Sequence, residues 1–434
     1  MVQIRLLALL ILTSTVTAET PAPVSVSEGP ILLHASLEQQ WGGHTFSYLL
    51  QGPQALYWTA SQYNPDGKTW GSVVGRFPTG APTLRCTVAQ IPIPGEKIKY
   101  ITQPLILRTP DGYLHLFNGV SFDTGDPGYA PGEIRYFRST APDDATSFVD
   151  RSDLVPKELP FNELHLRMNV GLSRDGQRAA LVVLAISKDG RVPFNTPILF
   201  LADKVGPDLV FKKPVQYAEP MGLFYPQVAY TDDGIVVVGQ VWDNKDCSTA
   251  RLLHLSADGK LLHRVEFPAE SDGNYWCCDL RPESATNWTM LNAYYCKYPK
   301  GGQDCRHEFW TYDTLAKSLI LRKSIAIPEG QVNSGKCIPV APDRALFIHN
   351  PQMGAFEVYD GDLFHGGDFA TTALPETNPL SQGYAGSAYT FVPNPLQGSV
   401  ASQSGIWFAT DTLVEKLRPE DRLRANLLLY HLNF

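Results

Sequence analysis

His165, Arg167 and Asn169 alternate with apolar neighbours in the run Leu164-His165-Leu166-Arg167-Met168-Asn169. Spaced two apart, they point to one side of an extended strand. Tyr225 and Gln227 open the next extended run, Phe224-Tyr225-Pro226-Gln227-Val228. Together these residues are the parts that β-elimination from a uronate needs. Arg167 and Gln227 can hold the carboxylate and so acidify the α-proton, and His165 or Tyr225 can remove it. The same residue types also serve structure: Arg167 as a surface ion pair, His165 as a satisfied surface histidine. Both readings stay open for each residue at this point.

Other polar and aromatic residues stand in the same phase, at the start of apolar runs. They are His44, Gln103, Asn274, Trp276 and Lys336. Aromatic faces stack on the C–H faces of sugars, while amides and cations bind hydroxyls and carboxylates. These five, with Asn169 and Gln227, form the expected substrate-binding set. Hydrolysis of a glycoside uses two carboxylates flanking the bond. Glu163 and Asp279 are the acids in this phase, and they fall in non-adjacent units. No HExxH sequence and no EF-hand loop occurs, so no metal and no other cofactor is expected.

The elements that must position these residues are strands. Phe224 to Pro268 reads as four β-rich runs closed by Asp232-Asp233-Gly234, Asp243-Asn244 and Ala257-Asp258-Gly259. Variations on that unit fill the chain and predict an all-β fold, a seven-bladed β-propeller of four-stranded antiparallel blades. The fourth run of the third unit is read at residues 208–217, and residues 411–421 look helical. The last unit lacks a fourth strand. Residues 29–39, GPILLHASLEQ, supply it if they pair with ANLLLYHLNF at the C-terminus, closing the ring. In such a ring the starts of the first strands share one rim with the loops between second and third strands.

A resemblance enters on these repeats. Gln103-Pro104-Leu105 followed by Asp111-Gly112-Tyr113-Leu114-His115, and Tyr225-Pro226-Gln227 followed by Asp233-Gly234, resemble the BNR/sialidase-like propellers. Asn64-Pro65-Asp66-Gly67-Lys68-Thr69-Trp70 is similar to their Asp-box with one residue fewer. Ser173-Arg174-Asp175-Gly176 and Ser187-Lys188-Asp189-Gly190 are fragments of it. That group includes sialidases, rhamnosidases and propeller polysaccharide lyases. The chain lacks a full sialidase arginine triad with its Tyr–Glu pair. The resemblance therefore implies a carbohydrate-active propeller: a lyase on uronate-containing glycan, a glycoside hydrolase of the sialidase-like group, or a propeller that binds glycan or protein without turning it over.

Length and charge agree with this reading. A chain of 434 residues with 44% apolar content suits a repeat-built fold. The formal charge of −8 argues against nucleic acid as the partner. Arg5, the apolar Leu6–Leu12 and Val16-Thr17-Ala18 predict a signal peptide over residues 1–18. Residues 19–28 read as a flexible leader and residues 29–434 as one domain. No later run is long and apolar enough to span a bilayer. The expectation is a secreted or periplasmic monomer, not inserted in membrane, whose partner is a polysaccharide or other glycan.

Export makes disulfides the expected state of the cysteines. Cys296 and Cys305 bracket one loop and should pair. Cys247 and Cys337 flank the unit carrying Cys277-Cys278, so each can take one of that pair; a vicinal Cys277–Cys278 bridge is the alternative. Cys86 is left as a buried thiol, and Asn287-Trp288-Thr289 is a glycosylation sequon.

Overall fold

The computed structural model describes residues 25–40, 48–63, 70–79, 87–93, 98–101, 104–122, 125, 132–157, 163–186, 196–212, 214–217, 226–242, 248–268, 273–282, 288–297, 304–327, 334–341, 343–352, 355–373, 389–390, 405–417 and 422–433. The signal peptide, Cys86 and Asn287 lie outside them. Among the described residues the strands form seven antiparallel sheets, and the one helical element is a short 3-10 turn, Ser152–Leu154.

Chain order gives β1 (Ser25–Gln40), then β2 (Tyr48–Gln51), β3 (Ala55–Tyr63), β4 (Trp70–Pro78) and β5 (Thr87–Pro92). The next sheet holds β6 (Ile98–Ile101), β7 (Leu105–Arg108), β8 (Leu114–Phe122), β9 (Gly132–Ser139) and β10 (Phe148–Asp150). Then follow β11 (Glu163–Leu172), β12 (Ala179–Ile186), β13 (Thr196–Ala202) and β14 (Val215–Gln216). The fourth set is β15 (Gln227–Thr231), β16 (Gly234–Trp242), β17 (Ser248–Leu255) and β18 (Leu261–Glu266). The fifth is β19 (Gly273–Pro282), β20 (Trp288–Lys297), β21 (Arg306–Asp313) and β22 (Ser318–Ala326). The sixth is β23 (Ser334–Ala341), β24 (Arg344–Gln352), β25 (Ala355–Gly361) and β26 (Phe369–Ala373). Last come β27 (Tyr389–Thr390), β28 (Gly405–Leu417) and β29 (Arg422–Asn433), to which β1 returns in the order β1-β29-β28-β27.

The middle strands are apolar on both faces where the sheet is covered on both sides. In β12, Leu181 packs toward Phe117 and Tyr136 of the preceding sheet, while Val182 packs toward Val237 and Leu253 of the following one. In β3, Leu56 and Trp58 face Leu427 and Leu429 of the chain-end sheet, and Tyr57 faces Leu116 and Phe137. Fourth strands instead carry exposed positions, as in β18 and β22. First strands lie side by side: β2 by β7, β7 by β11, β11 by β15, β15 by β19, with β27 against both β23 and β2.

The chain ends pair as β1 with β29, through Ile31↔Leu429, Leu32↔Leu428 and Leu37↔Ala425. The strand begins at Ser25, inside the stretch read as a leader. Its sixteen residues run against twelve, and the surplus is taken up by bulges such as those at Leu32/His34 and His34/Leu37.

Two further sequence expectations need correction, and one first strand is divided. Residues 411–417 are not helical: β28 runs on through Leu417 because Asp411↔Leu427 and Leu417↔Arg422 extend its ladder with β29. Cross-strand bonding there outweighs the local helix preference of Leu413-Val414-Glu415-Lys416-Leu417. The outer strand of the third unit is only Val215–Gln216; Leu209 and Phe211 instead dock on the preceding unit, bonding Tyr136 and Leu154. The first strand of the second unit is split. Both β6 and β7 pair with β8, and Pro104, with no N–H to give a ladder, precedes β7 while its carbonyl accepts the Thr59 hydroxyl at 2.7 Å.

The Asp-Gly sequences share one end of the sheets and act as fasteners. Thr109 donates to Asp111 at 2.5 Å, Ser173 to Asp175 at 2.6 Å and Thr231 to Asp233 at 2.9 Å; Ser256 repeats the bond to Asp258. Gly112, Gly176 and Gly259 then take φ of 90°, 67° and 85°, the left-handed region glycine tolerates. The Ser173 hydroxyl holds the Asp175 carboxyl below its usual range. The Asp-box-like fragment at 173–176 is thus a turn lock at the end away from the starts of the first strands.

One such turn is wired into the core. The Leu209 N–H donates to the Tyr136 hydroxyl at 3.0 Å, which lies 2.7 Å from His115 Nδ1. His115 Nε2 lies 3.0 Å from Thr109 Oγ1, itself the donor to Asp111. All four bonds are satisfied at once by a neutral imidazole protonated on Nε2. Burial, with the Arg138 charge second, pushes the His115 pKa down to about 3.

The unfolded chain therefore takes up a proton on His115 below its ordinary value of 6.5 while the folded chain does not, and stability falls as pH drops through that window. His115→Gln should remove part of this slope, up to ~1.4 kcal/mol per pH unit, while costing about 1–3 kcal/mol near neutrality. Urea unfolding of both proteins across the acid range checks this; parallel curves would contradict it.

Candidate functional site

The first strands β11 and β15 lie side by side, and a side-chain pair joins them. Val228 N–H donates to Asn169 Oδ1 at 3.2 Å, which fixes the orientation of that amide. Asn169 Nδ2 then donates to Gln227 Oε1, also at 3.2 Å. The pair joins two sheets. Gly171 allows the approach: a Cβ there would lie 2.9 Å from the Val228 carbonyl oxygen. Asn169 and Gln227 are both half-buried, so each keeps an open side. With its oxygen engaged, Gln227 presents its amide nitrogen as the remaining donor.

Three of the strand irregularities fall toward the starts of first strands. In β11 the ladder with β12 shifts between His165↔Leu184 and Met168↔Val183. Leu166 and Arg167 fall inside the shift, so simple alternation does not relate His165, Arg167 and Asn169, and their two-residue spacing alone does not set a common face. In β19 the ladder shifts between Tyr275↔Tyr295 and Cys277↔Tyr294, making Trp276 the extra residue. A third shift separates Ile98 from Tyr100 in β6. Bulges re-aim side chains and recur beside functional sites.

The remaining candidates are placed as follows. His165 and Arg167 lie on β11, Asn274 and Trp276 on β19, and Lys336 on β23, all by backbone position. His44, Gln103, Tyr225 and Cys247 lie outside the described residues. Of the expected binding set, Asn169 and Gln227 are brought together directly. Cys277 and Cys278 occupy consecutive register positions opposite Tyr294 and Ala293. Cys296 and Cys305 stand one step beyond the register pair Tyr295↔Arg306, across the hairpin from each other. Cys305 and Cys337 are buried.

Sequence reasoning missed Glu308, a fully buried carboxylate in β21. Tyr275 O–H donates to its Oε2 at 2.8 Å, Trp310 Nε1–H to the same oxygen at 3.0 Å, and Arg306 Nε–H to Oε1 at 2.7 Å. Burial alone would lower the Arg306 pKa, but the bond to Glu308 and its charge raise it. The signal was an acid directly before the aromatic-rich run Phe309-Trp310-Thr311-Tyr312. Among the described residues no group of three or more His, Cys, Asp or Glu side chains could hold a metal ion. No helix among them is long and apolar enough to cross a membrane.

No protein-family model matches the chain, and no curated protein matches its sequence. Among solved structures, the Bombyx mori GH32 beta-fructofuranosidase is similar over 92% of this chain and 93% of its own, at 9% identity and a TM-score of 0.38. A likeness at that level carries no argument about what this chain does.

Proposed function

We propose that the seven sheets are the blades of one closed β-propeller, and that the end carrying the first-strand starts binds an acidic polysaccharide and cleaves it by β-elimination. The closure is supported by β1 pairing with β29 and by β27 lying against both β23 and β2. The chemistry is supported chiefly by the Asn169–Gln227 pair, which orients an amide nitrogen partway along the first strands, with His165 and Arg167 preceding it on β11. Neutral and cationic donors on one carboxylate lower the cost of the enolate-like charge that forms there.

In this reading Arg167 and Gln227 bind the uronate carboxylate. His165 or Tyr225 takes the C5 proton, the electron pair forms the C4=C5 double bond, and the C4–O bond breaks, its oxygen taking up a proton. His44, Gln103, Asn274, Trp276 and Lys336 bind flanking sugars. Hydrolysis is less well served: the Glu308 oxygens are held by three donors, so this buried acid adds no second carboxylate. The proposed staples of an exported chain are Cys296–Cys305, Cys247 joined to one of Cys277 and Cys278, and Cys337 joined to the other.

The test is incubation with a panel of uronate polymers, reading unsaturated-uronate absorbance and new reducing ends. Turnover should appear, and Arg167→Ala and His165→Ala should each lower it by about 10²-fold or more. Polymer bound but uncleaved would leave a binding module; unchanged turnover in both variants would remove these roles. Asn169→Ala should cost about 1–3 kcal/mol in urea unfolding by orphaning the Val228 N–H. It should also raise KM more than it lowers kcat, because Gln227 loses its orienting partner.

A further inference from the structure

We propose that Glu308 is a positioning residue: through Tyr275 it fixes which residue of β19 is the bulged one, and so sets the mouth end of that strand. The proposal rests on the mouth being the binding surface.

Glu308 sits on the third strand of its sheet and Tyr275 on the first, with β20 between them. The Tyr275 hydroxyl reaches across to Oε2 and also lies 3.3 Å from the Pro268 carbonyl oxygen. Its ring is boxed by Phe267 and Tyr295 at centroid distances of 5.4 and 5.1 Å. Arg306, the partner of Oε1, lies 3.9 Å above the Tyr295 ring. Gly273 completes the box, since a Cβ there would lie 2.3 Å from the Tyr295 hydroxyl oxygen, well inside van der Waals contact.

Tyr275 is the last regular register position before the shift that leaves Trp276 as the extra residue. Moving the bulge by one residue would exchange Tyr275 and Trp276 as paired and extra residue, and losing it would slip by one the pairing of every position before it. An apolar box alone does not select a register sharply, because aromatic rings tolerate sliding. A hydrogen bond to a carboxylate held by two further donors does, being charge-assisted and directional. Burying a carboxylate is costly, and a well-packed apolar substitute is often neutral or better for stability. What the carboxylate adds here is the choice of register next to Asn274 and Trp276.

The experiment uses the full-length protein with Tyr275→Phe, Glu308→Gln and, as a control ion pair in the next sheet, Asp360→Asn. Hydrogen–deuterium exchange is read by peptide, alongside retention on immobilised polygalacturonate. Tyr275→Phe should speed exchange in residues 273–282 about tenfold, with β20 to β22 within about twofold, and should weaken retention. Glu308→Gln keeps an acceptor for Tyr275 and should fall between wild type and Tyr275→Phe; Asp360→Asn should leave both readings of β19 unchanged. Unchanged exchange in 273–282, a rise spread equally over the sheet, or loosened β19 with full retention would each overturn the proposal. If β19 loosens as expected while wild type itself is not retained, the register role stands and the acidic-glycan reading falls.

Discussion

The pairing of Ser25–Gln40 with Arg422–Asn433 is the constraint on which the arrangement depends. Among the described residues five of the seven sheets bury both faces against neighbours, and a sheet at either end of an open row would leave one apolar face and one edge uncovered. The chain-end sheet has a neighbour on each side. Ile31, Leu427 and Leu429 pack on the first complete sheet, and β27 touches the last one as well as β2. That sheet combines the two ends of the chain, so neither end can detach without exposing the core between Trp58 and Leu429.

The two ends of the sheets are built differently. At one end the turns are short and locked by hydroxyl–carboxylate bonds, with glycines in the left-handed region and His115 tying one turn to the core. At the other end the strands begin with bulges, and the polar groups bond across sheets: Asn169 with Gln227, and Thr59 with the Pro104 carbonyl. Rigid turns at one face and re-aimed strand starts at the other are what a scaffold with a single working face requires. The Glu308 cluster lies toward the first-strand starts, since Tyr275 stands near the start of β19.

Much of the fold was legible because strand period and turn chemistry are local. Asp111-Gly112, Asp175-Gly176 and Asp233-Gly234 marked three of the first-to-second connections. The pairing of residues 29–39 with the C-terminus followed from counting strands. The failures came where non-local bonding decided. Leu413-Val414-Glu415-Lys416-Leu417 has helical preference, yet a twelve-residue partner holds it extended. Asp208–Phe211 reads as a strand, yet Tyr136 and Leu154 capture it. At the site, residue types were legible and geometry was not. The spacing of His165, Arg167 and Asn169 implied a common face, but the register shift at His165/Met168 is invisible in composition. Glu308 was passed over because a lone acid before an aromatic-rich run carries no motif, only the implication that something must satisfy it.

The most direct measurement of ring closure is an engineered crosslink between the chain ends. Glu38→Cys with Arg424→Cys places cysteines on a register pair within an unshifted stretch of the β1–β29 ladder. Under mild oxidation, mass spectrometry should find the 38–424 linkage within one chain, at monomer mass, with a raised unfolding midpoint. No linkage, or linkage only between chains, would show that the ends do not share a sheet and would remove the ring together with the mouth it defines.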